Sequence, residues 1–82
     1  MGHKRFVYLI RSTTTGRPYV GLTSDFTTRL AAHNAGRNPS TAPFRPWTLA
    51  TLIEFGDEQT AARFERYLKK GSGRAFAKKH LE

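Results

Sequence analysis

The 82-residue sequence contains no cysteine, which excludes disulfides, thiolate metal sites and thiol redox chemistry and leaves the redox compartment undecided. It has no apolar run approaching the roughly 18 residues of a membrane span. The start, Met1-Gly2-His3-Lys4-Arg5, leads only into Phe6 to Ile10, too short for a secretory signal core. No membrane partner is expected, and a cytoplasmic location is. Acid is also scarce: 6 Asp+Glu stand against 14 Lys+Arg, a formal charge of +8. With 38% hydrophobic and 12% aromatic residues the chain is too apolar for a disordered basic tail, and its length allows one small domain over residues 1–82.

The charge is uneven. Arg63, Arg66, Lys69, Lys70, Arg74, Lys78 and Lys79 are accompanied between 63 and 79 by the single acid Glu65. A field of that sign attracts polyanions, and the bland reading is a solvated basic helix face.

Phe6 to Ile10 and Tyr19 to Leu22 are short runs rich in aromatic and branched residues, separated by a loop bearing Gly16 and Pro18. They read as a β-hairpin. Phe6, Tyr8 and Ile10 share one face and Val7 and Leu9 the other, so the sheet needs cover on both sides. Thr23-Ser24-Asp25 offers caps for a helix from Phe26 to Ala35, which Gly36 ends. Arg37 to Pro46, with three prolines, reads as a surface loop without regular structure. Trp47, Leu49, Thr51, Ile53 and Phe55 alternate on one face of a third strand. Asp57 caps a second helix with Ala61, Phe64 and Leu68 buried; Gly71-Ser72-Gly73 reads as a turn and Arg74 to His80 as a last basic helix. The expected fold is α+β, a three-stranded antiparallel sheet flanked by helices in the order β-β-α-β-α-α.

A hairpin loop from Ser12 to Arg17 sets Tyr8 opposite Gly21, with Tyr19 diagonally adjacent on the same face. Such an arrangement is either an aromatic covering a strand glycine or a gap that lets a ligand approach two phenols. Arg29 and His33, one helical turn apart, offer an anion fork beside a proton acceptor held neutral by the adjacent charge. Glu65 is either an i, i+4 ion-pair partner of Lys69 or a magnesium ligand whose shell water and a phosphate would complete.

These residues, Val7-Tyr8, Tyr19-Val20-Gly21, Thr23, Arg29 and His33-Asn34, form a pattern that resembles the GIY-YIG endonuclease superfamily, particularly its small stand-alone bacterial members. The two triplets read Phe6-Val7-Tyr8 and Tyr19-Val20-Gly21. Phe6 stands where the first glycine usually does, a position at which stand-alone members often vary. The segment Ala61 to Lys69 looks like the one carrying the family's metal-binding glutamate, which lands on Glu65, and Gly71 to Phe76 is similar to an ending shared by one stand-alone subgroup.

The resemblance implies a metal-dependent endonuclease that hydrolyses phosphodiester bonds with one Mg²⁺ or Mn²⁺ held at Glu65. It implies that Tyr19 holds or deprotonates the attacking water, Tyr8 positions water or phosphate, and Arg29 neutralises developing charge. A free phenol has a pKa of about 10, and His33 is the neighbouring base expected to assist. Gly21 and Thr23 would shape the pocket, and the basic residues from Arg63 to Lys79 would follow a nucleic-acid backbone, DNA ahead of RNA. With no room for a separate DNA-binding domain, the substrate would be chosen by structure or charge, or through a protein partner. The alternatives are a non-catalytic DNA/RNA-binding module on the same scaffold and, more weakly, a protein adaptor using Trp47 and the Pro43/Pro46 loop.

Overall fold

The computed structural model describes residues 4–82. Its elements run β1 (Arg5–Ser12), β2 (Pro18–Thr23), α1 (Phe26–Asn34), β3 (Trp47–Phe55), α2 (Glu58–Leu68) and α3 (Gly71–His80), with a single 3-10 turn at Ala42–Phe44. The antiparallel sheet has the order β2-β1-β3, so β1 is central. Two apolar faces on that strand are each covered. Val7 and Leu9 pack beneath Ala61 and Leu68 of α2 and Ala77 of α3. Tyr8 and Ile10 pack with Trp47 beneath Phe26 and Leu30 of α1. The class and element order agree with those expected from sequence.

The helix starts follow local chemistry. Asp25 accepts from the backbone N–H of Thr28 at 3.2 Å, and Asp57 from that of Thr60 at 2.8 Å, each satisfying an otherwise unpaired donor of the first turn. The Thr28 hydroxyl, then its N–H, holds the Asp25 carboxyl below the usual carboxylate range, and the Thr60 N–H, then its hydroxyl, does the same for Asp57.

Three details depart from the sequence reading. In β3 the alternation is broken: Leu9 pairs with Thr51 but Ile10 with Leu49, so Ala50 is an extra residue, a β-bulge. A one-residue insertion moves everything before it to the opposite face. Thr51, Ile53 and Phe55 therefore remain beside Val7 and Leu9, while Trp47 joins the Tyr8 face. The loop from Arg37 to Pro46 is also more ordered than three prolines imply. Thr41 is fully buried, and the 3-10 turn begins beside it. Finally, Gly71-Ser72-Gly73 is the first turn of α3 rather than a connection. Gly73 is buried where a Cβ would overlap the Tyr67 carbonyl, so the missing side chain lets α3 pack directly on the end of α2.

Candidate active site

Tyr8 lies opposite Gly21 across the central pair of strands, the register expected from the hairpin. A Cβ at Gly21 would overlap the ring and hydroxyl of Tyr8. The phenol thus crosses the neighbouring strand through the space glycine leaves free. α1 closes over it, with Phe26 at 5.4 Å between ring centroids.

The buried Tyr8 hydroxyl meets His33 Nε2 at 2.9 Å, and His33 Nδ1 meets Thr41 Oγ1 at 2.8 Å. Thr41 Oγ1 donates onward to the Asn38 carbonyl at 3.4 Å. The network assigns the imidazole tautomer: Thr41, already donating, receives the Nδ1 proton, leaving Nε2 to accept from the phenol. Burial first, and the Arg29 charge second, push the His33 pKa down, which favours this neutral form.

Tyr8 is shifted the opposite way, to about 12. Burial is the largest cause, followed by the proximity of Tyr19; the Arg29 guanidinium pulls the value down and the Glu65 carboxylate adds a smaller upward push. These influences, together with the bond to His33, connect five residues expected from sequence. Tyr19 stands edge-on to His33 at 5.1 Å and is 6.4 Å from Tyr8. Glu65, on α2, is near enough for its charge to push up the Tyr8 pKa and is ion-paired to Lys69 Nζ at 2.7 Å, with 16% of its side chain exposed. Of the two sequence readings of Glu65, the i, i+4 ion pair with Lys69 is the one present.

One expected relation changes. His33 hydrogen-bonds Tyr8, whereas its contact with Tyr19 is ring to ring. Thr23 is used locally, its hydroxyl accepting from Asp25 N–H at 3.1 Å in the turn into α1. All seven basic residues from Arg63 to Lys79 are exposed, and among the described residues only Lys69 of these has an acidic partner.

Sequence reasoning missed four participants. Thr41 and Asn38 hold the histidine. Trp47, carried here by the bulge, lies edge-on to Tyr19 at 6.2 Å and donates Nε1–H to the Thr41 carbonyl at 2.9 Å. Its own position is clamped by Asn34, whose Oδ1 accepts from Trp47 N–H at 2.7 Å and whose Nδ2 donates to Trp47 O at 3.1 Å. Arg37 joins Arg29, His33 and Asn38 around a hollow of about 330 Å³. No signal in the loop's composition marks Thr41 or Arg37.

A buried phenol-imidazole-hydroxyl line runs from Tyr8 through His33 to Thr41. The family model described as the GIY-YIG catalytic domain matches residues 4–79, and the chain belongs to that nuclease-type family. No curated protein matches the chain. Among solved structures it is similar to the solution NMR structure of the UPF0213 protein BH0048 from Bacillus halodurans, with 26% identity and a TM-score of 0.57 over 92% of this chain and 80% of that one. No helix among the described residues is long and apolar enough to cross a membrane.

Proposed function

We propose that the chain is a divalent-metal-dependent endonuclease that selects its nucleic-acid substrate by structure and charge, DNA ahead of RNA, with or without a specificity-giving protein partner. The observation that carries the reading is the 2.9 Å bond from the Tyr8 hydroxyl to neutral His33, with Tyr19, Arg29 and Glu65 all close enough to bias that same hydroxyl.

The donor set fits a hard cation. Glu65 is a partly shielded carboxylate whose charge is felt at the Tyr8 hydroxyl. Among the described residues no group of three or more His, Cys, Asp and Glu side chains assembles, so water and substrate phosphate must complete the shell, as is usual for Mg²⁺. When bound, the ion supplies stabilisation of the leaving oxygen.

The chain's own residues do the rest. Tyr19, half-buried at the edge of the cluster, orients the attacking water. Tyr8, neutral because its pKa is about 12, passes its proton to His33 Nε2 as it takes one from that water. Thr41 keeps the opposite imidazole nitrogen protonated and the ring fixed. Arg29 stabilises charge growing on the non-bridging oxygens, a role in which one well-placed donor is worth about 3 kcal/mol.

The test is incubation of labelled single-stranded, duplex, flap and branched DNA and RNA with Mg²⁺, Mn²⁺ or EDTA. Metal-dependent cleavage of at least one structure is expected; intact substrates throughout, or equal cleavage in EDTA, contradict the reading. The ion pair from Lys69 to Glu65 favours a second reading, in which the carboxylate is already neutralised and the module binds without cutting. That reading requires salt-sensitive binding and no product in any metal.

A further inference from the structure

A groove of about 510 Å³ runs between the outer edge of β2 and α3, beginning at Tyr19. Its apolar floor comprises half-buried Val20, exposed Ala75 and the small faces left by buried Leu68 and Ala77, and the exposed cations Lys69, Arg74 and Lys78 also line it. Sites for drug-sized ligands occupy roughly 300–1,000 Å³, so the groove has room for a nucleotide. Lys69 ties it to the candidate centre, since its ammonium is ion-paired to Glu65 and lies 5.6 Å from the Tyr19 ring centroid. The groove and the Arg29/Arg37 hollow flank the centre: Tyr19 borders one, His33 the other, and their rings are 5.1 Å apart.

We infer that this groove is a subsite for an unpaired nucleotide next to the scissile phosphate, its base lying on the apolar floor and its phosphates on Lys69, Arg74 and Lys78. The proposal rests on the nuclease reading only for the word scissile; the binding itself does not. Charge chooses the polyanion, and the floor chooses the unpaired form. In a duplex the base faces are already stacked and only backbone and groove edges are offered, so a helix would meet the lysines yet leave the floor uncovered. A splayed base covers it and can stack on Tyr19, the aromatic residue of the lining, a contact that tolerates any sequence because every base has a flat face. Glu82 also lines the groove, its carboxylate 3.8 Å from the Arg11 guanidinium, which offsets its charge.

Adjacent lysines make a matched comparison. Lys78 lines the groove and Lys79, about 100° further round α3, does not, although each removes one positive charge when substituted. The experiment is fluorescence anisotropy of labelled oligothymidylate and of a labelled duplex hairpin with the whole chain in EDTA, comparing the parent with Lys78→Ala, Lys79→Ala and Ala75→Glu. Ala75 is exposed on the helix, and glutamate is a good helix former. Ala75→Glu is expected to weaken single-strand binding roughly ten-fold by displacing the base and repelling phosphate. Lys78→Ala is expected to weaken it several times more than Lys79→Ala, whereas the duplex responds to the two lysines alike. Equal effects of both lysines on the single strand, or a duplex as sensitive as the single strand to Ala75→Glu, overturn the subsite. No cleavage is needed, so a protein that cuts nothing can still pass and an active nuclease can still fail.

Discussion

Substitution of Gly21 by alanine inverts an ordinary expectation. In a strand with compatible backbone angles, Gly→Ala stabilises by about 0.4–1 kcal/mol because the unfolded chain loses freedom. Here the added Cβ would overlap the Tyr8 ring and hydroxyl, which are buried beneath α1 with no room to retreat. Forcing a methyl into a packed core costs typically about 1–3 kcal/mol. If Tyr8 gives way, its bond to His33 is lost and a buried imidazole nitrogen is left unpaired, a further cost of about 1–3 kcal/mol. Offset by the backbone gain, the net destabilisation is about 1–5 kcal/mol, and at about 4–8 °C per kcal/mol for a domain of this size Tm falls by roughly 5–40 °C. Urea unfolding in a double-mutant cycle with Tyr8→Leu isolates the cause. In the leucine background the obstructing ring end is gone, and Gly21→Ala should become neutral or stabilising. A neutral Gly21→Ala in the parent, or an equal loss in both backgrounds, refutes the close approach.

Other outcomes follow from the same contacts. Because His33 is held below its usual 6.5, the unfolded chain binds more protons just below that pH. Stability is therefore full above pH 6.5 and falls as pH drops through the window, and urea unfolding at stepped pH should show this slope flattened in His33→Gln. Tyr8 behaves in the opposite sense: with its pKa raised from 10.0 to about 12 the folded state keeps a proton the unfolded state loses. Stability should then decline as pH rises from 10 toward 12, less steeply in Tyr8→Phe, as followed by alkaline unfolding with circular dichroism. Gly73→Ala should lower stability by about 1–3 kcal/mol as the new Cβ prises α3 off the Tyr67 carbonyl, while Ser72→Ala, on the exposed side, should leave the melting curve nearly unchanged.

Much of the fold was legible because its signals are local. Asp25 and Asp57 cap the helices they were expected to cap, and a hairpin loop of fixed length sets every pair from Arg11 opposite Pro18 to Tyr8 opposite Gly21. What escaped depends on contacts distant in sequence. The bulge at Ala50 is invisible to a period-two pattern, since Leu49 and Thr51 both look correct until paired with β1. That shift moves Trp47 from one core to the other. Thr41 is an ordinary loop threonine until the Trp47 indole fixes its carbonyl and His33 takes its hydroxyl. Gly73 reads as a turn former until the carbonyl of Tyr67 is seen pressed against it. At the candidate site, residue types and spacing brought Tyr8, Tyr19, Arg29, His33 and Glu65 into view. They did not show that the histidine is bonded to Tyr8 rather than Tyr19, because two phenols on one face are equivalent until the ring over Gly21 is placed.

The central claim is that these five side chains form a phosphodiester-cleaving centre. Single-turnover cleavage of a bound labelled substrate in Mn²⁺, with binding measured on the same samples, compares the parent with Glu65→Ala and Arg29→Ala. Loss of an oxyanion donor costs roughly 10²–10³-fold, and loss of the carboxylate that would hold the ion costs several kcal/mol, roughly 10²-fold or more. The account predicts both losses in the cleavage rate with substrate still bound. Parent-like cleavage by either variant contradicts it.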